Sequence, residues 1–129
     1  VAEDNDSVRS YLKLLLERAG FRVSVVRSGD EASAALLSMI APPDLLLTDV
    51  VMPGRTGPQV AADARVRFPD LPVLFMSGYA GEAGKRADFP FEDLVQKPFT
   101  DHELLERIED KLSRRSAPWA SRASSQTWS

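Results

Sequence analysis

Four polar positions in this sequence have the types needed to act together: the acidic pair Glu3-Asp4, then Asp49, Ser77 and Lys97. Each follows a short apolar run, respectively Val1-Ala2, Leu45-Leu46-Leu47, Val73-Leu74-Phe75-Met76 and Leu94-Val95. Three carboxylates gathered at one point repel one another, and a divalent cation together with one lysine ammonium relieves that repulsion. Taken singly, each residue has a plainer explanation. The run Glu3-Asp4-Asn5-Asp6 suits a helix N-terminus. A lone Asp after a strand is usually a turn residue, a Ser before Gly a loop residue, and Lys-Pro a common strand end. What sets these positions apart is that they fall on one edge of the fold, and that depends on the elements which carry them.

Helical and extended periods alternate along the chain. Val8, Tyr11, Leu12, Leu15 and Ala19 recur at helical spacing, with Gly20 where a left-handed cap is expected. Phe21, Val23 and Val25 alternate as in a strand. A second helical stripe, Ala32, Ala35, Leu36, Met39 and Ile40, stops at Pro42-Pro43. Leu45-Leu46-Leu47 reads as a strand covered on both faces. After Asp49 comes the turn-rich Met52-Pro53-Gly54-Arg55-Thr56-Gly57, then a third helix opened by Pro58 at its first position, with Val60, Ala61 and Ala64 inward. Val73 to Met76 is another buried run. Residues 78–90 hold three glycines, so a helix there should be short or irregular. Leu94-Val95 resumes a strand, and Thr100 with Glu103 forms a capping box for a last helix with Leu104, Leu105, Ile108 and Leu112 inward.

Strand followed by helix, five times over with a shortened first strand, predicts an α/β fold: a parallel sheet covered on both faces and wound by right-handed crossovers. In such sheets function gathers in the loops at the carboxyl ends of the strands, which is where the four polar positions lie.

Composition narrows the classes. A chain of 129 residues suits one domain, and 43% hydrophobic with 27% charged residues is ordinary for a globular protein. A net charge of −3 gives no basic field, so direct nucleic-acid binding is not expected. There is no cysteine, which excludes disulfides, thiol catalysis and thiolate metal sites. Apolar runs of about four residues fall far short of the roughly 20 of a membrane helix, and no secretory leader opens the chain. No membrane contact and a cytoplasmic location are the expectations. Without an initiator Met and with a shortened first segment, the sequence reads as part of something larger. From 114 onward it becomes rich in Ser, Ala and Arg, so the domain is expected over 1–113 and a flexible tail over 114–129.

Glu3-Asp4-Asn5, Leu47-Thr48-Asp49-Val50-Val51-Met52-Pro53 with Gly57, Met76-Ser77-Gly78-Tyr79, and Lys97-Pro98-Phe99 resemble the receiver domains of response regulators in two-component systems. The likeness covers residues 1–112 and extends to the spacing between motifs. It implies a doubly wound (βα)5, flavodoxin-like three-layer sandwich with strand order 2-1-3-4-5. It also implies site roles. Asp49 is the nucleophile that becomes the aspartyl phosphate. Mg²⁺ is held by Asp4, Asp49 and the backbone carbonyl of Val51, with Glu3 acting through water. Lys97 and the Ser77 hydroxyl contact the phosphoryl oxygens, and a cis Lys97-Pro98 bond aims the lysine. The implied donor is a phosphohistidine on a sensor histidine kinase or histidine phosphotransfer protein. His102, in the first turn of the capped helix, reads as an exposed bystander.

The residues weigh against other classes. An aspartate phosphatase needs a second Asp two residues after the nucleophile, where this chain has Val51. No GxxxxGK[ST] loop is present for nucleotide binding, and a degenerate receiver would lack a site residue, whereas all are here. Phrases such as Phe75-Met76-Ser77-Gly78-Tyr79-Ala80 resemble the C-terminal receivers of hybrid sensor histidine kinases, and a stand-alone regulator is the alternative. One departure stands out: many receivers carry an aromatic residue three positions before the site lysine, and here Leu94 stands there. A monomer or weak dimer is therefore expected.

Overall fold

The computed structural model describes residues 1–78 and 93–114. Among these the elements run α1 (Asp6–Arg18), α2 (Gly29–Ser38), β1 (Leu46–Asp49), α3 (Gly57–Arg67), β2 (Val73–Ser77), β3 (Leu94–Gln96) and α4 (Asp101–Arg114). The three strands form one parallel sheet in the order β1-β2-β3. Leu46 lies opposite Val73 and Asp49 opposite Met76, while Phe75 pairs with Leu94 and Ser77 with Gln96. Every residue of β1 and β2 is buried. Their continuous apolar runs follow from that, because a strand sandwiched between helix layers has no solvent face to fill with polar residues.

Side chains alternate between the two faces of a strand, and the core divides accordingly. Leu46, Val73 and Phe75 pack with Ala32 and Leu36 of α2 and Val60, Ala61 and Ala64 of α3. Leu47, Leu74 and Met76 pack with Leu12 and Leu16 of α1 and Leu104 and Ile108 of α4. Helices thus cover both faces of the sheet. The stripes expected for α3 and α4 are the buried or half-buried ones.

Local signals set the helix ends. The Asn5 side chain accepts the Val8 N–H at 3.0 Å and caps α1. At its other end Gly20, at φ +101°, donates to the Glu17 carbonyl while Phe21 donates to that of Leu16, a Schellman closure that an L side chain would strain. The expected box at α4 is present in both directions, Thr100 N–H to Glu103 and Glu103 N–H to the Thr100 hydroxyl, each at 3.0 Å. Such caps contribute about 1 kcal/mol apiece.

Several expectations are corrected. Residues 21–25 do not form a strand. Pairing there is a parallel bridge from Val26 to Ala2, which also bridges to Thr48 of β1. Backbone hydrogen bonds also join Glu3 to Val26 and Val26 to Val1. Ile40 is not core: α2 ends at Ser38, Met39 is extended, and Ile40 is 96% exposed. Pro42 excludes Ala41 from helical conformation, and the chain leaves the helix before reaching it. On α1, Tyr11 is 41% exposed while Leu16 takes the inward place. Pro58 occupies the second helical position of α3, behind Gly57, with Thr56 as the cap in a box with Gln59. The irregular helix expected within 78–90 lies outside the described residues, Gly78 apart. So does the tail, except that α4 includes Arg114.

Candidate functional site

Asp49 ends β1 with its backbone fixed from both sides. Its N–H donates to the Ala2 carbonyl at 3.1 Å, and the next N–H, of Val50, donates to the Met76 carbonyl at 2.9 Å. The loop beyond folds back at once, Gly57 N–H donating to the Val50 carbonyl at 2.9 Å. Gly57 has to be glycine: a Cβ there would sit 2.1 Å from the Asp49 carbonyl oxygen and 3.2 Å from the Val50 Cα. Backbone cannot move aside as a flexible side chain can. Gly57→Ala is therefore expected to cost at least about 2 kcal/mol, read as a lowered denaturation midpoint with unchanged slope. An unchanged midpoint would show that the loop yields freely.

The remaining strand ends bring their polar residues to the same edge. Glu3, one residue past Ala2, is 1% exposed, with Asn5 N–H donating to its Oε2 at 3.0 Å. Lys97 follows β3, and its N–H donates to the carbonyl of Ser77, the wholly buried last residue of β2, at 2.8 Å. The Lys97 ammonium lies between two carboxylates, 2.5 Å from Glu3 Oε1 and 2.8 Å from Asp49 Oδ1. The Lys97-Pro98 bond is cis. Asp4 is exposed, yet one carboxylate oxygen from each of Glu3, Asp4 and Asp49 can be chosen so that all lie within 4.8 Å of one another. Val51 stands two residues past Asp49, in the loop, with its side chain 55% exposed. His102 is exposed on α4, its Nε2 3.4 Å from Glu106.

Charge in this cluster is unbalanced. Burial, and next the neighbouring Glu3, push the Asp49 carboxyl up to about 8, against the pull of Lys97. Burial also pushes Glu3 upward, but its hydrogen bonds with Asp49 and Lys97 and from the Asn5 N–H outweigh burial and hold it below its ordinary value. Lys97 loses by burial and gains more from its two carboxylate partners, so it stays protonated with a raised pKa. One ammonium does not neutralise two buried carboxylates, and the imbalance favours the protonated form of Asp49. A hard cation among these oxygens would take that proton's place, and an all-oxygen donor set suits Mg²⁺. The residues present fit the ion.

Sequence reasoning overlooked two residues around this edge. Arg9 on α1 donates from Nη1 to the Glu3 carbonyl at 3.1 Å and from Nη2 to the Asp6 carboxylate. Arg55, in the loop after Asp49, pairs with Asp63 of α3, its Nη2 3.0 Å from Oδ1, and Asp63 also accepts the Ser33 hydroxyl of α2 at 2.8 Å. The Asp6–Arg9 spacing of three on a helical turn was the available signal for the first. The second joins a loop residue to a helix residue eight positions on, a spacing that matches no helical turn, and left none.

Comparison with known proteins identifies the family. The family described as response regulator receiver domain matches residues 1–109. The response regulator receiver protein CpdR of Brucella abortus is 36% identical over 114 residues, covering 87% of this chain and 93% of that protein. The sensor kinase CckA of the same organism is 32% identical over 117 residues, covering 88% of this chain but 12% of the kinase. In three dimensions the chain is similar to a response regulator receiver protein from Sinorhizobium medicae, with a TM-score of 0.78, 31% identity, and coverage of 89% of this chain and 93% of the other. With an Asp, a Ser and a Lys at the ends of adjacent parallel strands and two further acids beside them, this chain belongs to the response regulator receiver domains of two-component systems.

Proposed function

We propose that Asp49 accepts a phosphoryl group from a phosphohistidine on a sensor histidine kinase or histidine phosphotransfer protein. The observation that carries this reading is the Lys97 ammonium held 2.8 Å from Asp49 and 2.5 Å from Glu3 at the strand ends, with Asp4 completing an acidic triad. An Asp49 carboxylate oxygen attacks phosphorus, and the P–N bond breaks with its electron pair leaving on the imidazole nitrogen, which takes up a proton. Glu3, Asp4, Asp49 and the Val51 carbonyl would hold Mg²⁺, which supplies positive charge to the phosphoryl oxygens. Lys97 moves its ammonium from the Asp49 carboxylate onto a phosphoryl oxygen, and the Ser77 hydroxyl donates to another. Hydrolysis or onward transfer then regenerates the carboxylate.

The test is uptake of one phosphoryl group from acetyl phosphate, mapped to Asp49 by mass spectrometry, with EDTA preventing it. No uptake from acetyl phosphate or from any phosphorylated kinase would overturn the reading.

The finer architecture belongs to the same proposal. Ala2 bridges to both Val26 and Thr48, which supports an order of 2-1-3-4-5 in a (βα)5 sandwich, with 1–113 as the folded receiver. A cytoplasmic site of action follows from the proposed donors, and no described helix is long and apolar enough to cross a membrane. For the parent protein, the likeness to part of a sensor kinase supports a hybrid histidine kinase. The stand-alone alternative has its own support, since the match to CpdR covers 93% of that protein. The residues encoded before Val1 decide between them.

Output is expected to be modest. Leu94 has no ring to swing toward Ser77, and its carbonyl is engaged by Arg107 Nη1 at 2.6 Å. Sedimentation with Mg²⁺ and beryllofluoride, an acyl-phosphate mimic, should still show a monomer or weak dimer. Complete conversion to a dimer that depends on Leu94 would mark a conventional switch.

A further inference from the structure

The acidic segment Glu3-Asp4-Asn5-Asp6 is held down almost everywhere except at one side chain. Asn5 donates its N–H to Glu3 Oε2 and accepts the Val8 N–H on Oδ1. Arg9 donates its own N–H to the Asn5 carbonyl at 2.9 Å. Its guanidinium reaches back along the turn, Nη1 to the Glu3 carbonyl at 3.1 Å and Nη2 to the Asp6 carboxylate. Although it stands on the first turns of α1, the Arg9 side chain is only 15% exposed. The carboxylate of Asp4 is exposed, and one of its oxygens lies within 4.8 Å of those of Glu3 and Asp49.

We infer that Arg9 is a positioning residue for the cation: by clasping the Glu3 carbonyl and Asp6 together it presents Asp4 and Glu3 to the ion that Asp49 shares. This rests on the proposed Mg²⁺ site and adds to it a residue that would not touch the ion. Only a planar fork spans two acceptors in this way, and a lysine ammonium has no equivalent geometry. Outer residues that orient metal ligands typically contribute tenfold or more to affinity.

The sign of the effect separates positioning from simple electrostatics. Arg9 is a positive charge beside a cation site, so removing it should tighten Mg²⁺ binding if charge were all that mattered. A positioning role requires the opposite. Mg²⁺ dissociation constants would be measured calorimetrically on the whole chain without phosphodonor, for the parent, Arg9→Met and Arg9→Lys, alongside metal-free melting curves. Arg9→Met is expected to bind Mg²⁺ about tenfold more weakly, against the Coulombic trend. Arg9→Lys, which keeps the charge and most of the stem, should bind several-fold more weakly and serves as the deciding variant if Arg9→Met fails to fold. Affinity equal to or tighter than the parent's in a folded variant overturns the positioning role and leaves the site reading intact. A parent that binds no Mg²⁺ at all removes the site reading, and the role of Arg9 with it.

Discussion

Asp49→Asn is expected to take up no acid-stable phosphoryl label from acetyl phosphate or a phosphorylated kinase in Mg²⁺, while remaining folded. The geometry leaves few substitutes. Glu3 is buried, with Lys97 on one carboxylate oxygen and the Asn5 N–H on the other. Asp4 is the one exposed acid of the triad, so a residual label would be sought there first. An asparagine at 49 keeps the shape and hydrogen-bonding capacity but cannot attack phosphorus. It also removes an ionisable group from beside Glu3, so metal-free Asp49→Asn should melt no lower than the parent. Undiminished labelling would place the acceptor elsewhere. An unfolded variant would instead assign the carboxylate a structural part.

Lys97→Ala carries the largest expected loss of stability. Its ammonium is the cation in contact with two carboxylates that are 1% and 6% exposed at their side chains. Removing one partner of a buried ionic group commonly costs 3–5 kcal/mol, because the charges left behind keep their desolvation penalty. Lys97 itself is 23% exposed and Asp49 can hold a proton, so a loss of about 3 kcal/mol in EDTA is the expectation. Saturating Mg²⁺ binds the folded state and should recover part of it by mass action. The check is a pair of denaturant titrations, with EDTA and with Mg²⁺. A loss under about 1 kcal/mol in EDTA, or the same loss in both, would mean that the lysine does not balance the acidic cluster.

Much of this site was legible because its parts are local patterns. Asp49 and Ser77 each close a buried strand marked by its apolar run, Lys97 follows the shorter Leu94-Val95, and parallel winding then brings their ends to one edge. The Thr100/Glu103 box was equally visible, since both partners lie within one turn. What escaped depends on neighbours distant in sequence or on the exact end of an element. Residues 21–25 alternate like a strand, but alternation does not reveal the pairing, which here is a single bridge from Val26 to Ala2. Ile40 keeps helical spacing from Leu36, yet the helix ends at Ser38, and spacing carries no further than the helix. Gly57 could be called a loop glycine from the sequence. That its Cα lies against the Asp49 carbonyl required the fold.

The bond between Lys97 and Glu3 joins residues 94 positions apart, nearly the span of the folded chain. During synthesis, the carboxylates emerge from the ribosome long before the ammonium that balances them. Closing so long a loop is among the slower steps available to a chain of this size. Until β3 docks, the nascent polypeptide has Asp49 without the Lys97 ammonium beside it, so the proposed acceptor site is incomplete. On the proposed reading, phosphoryl acceptance would wait on completion of the fold through Lys97.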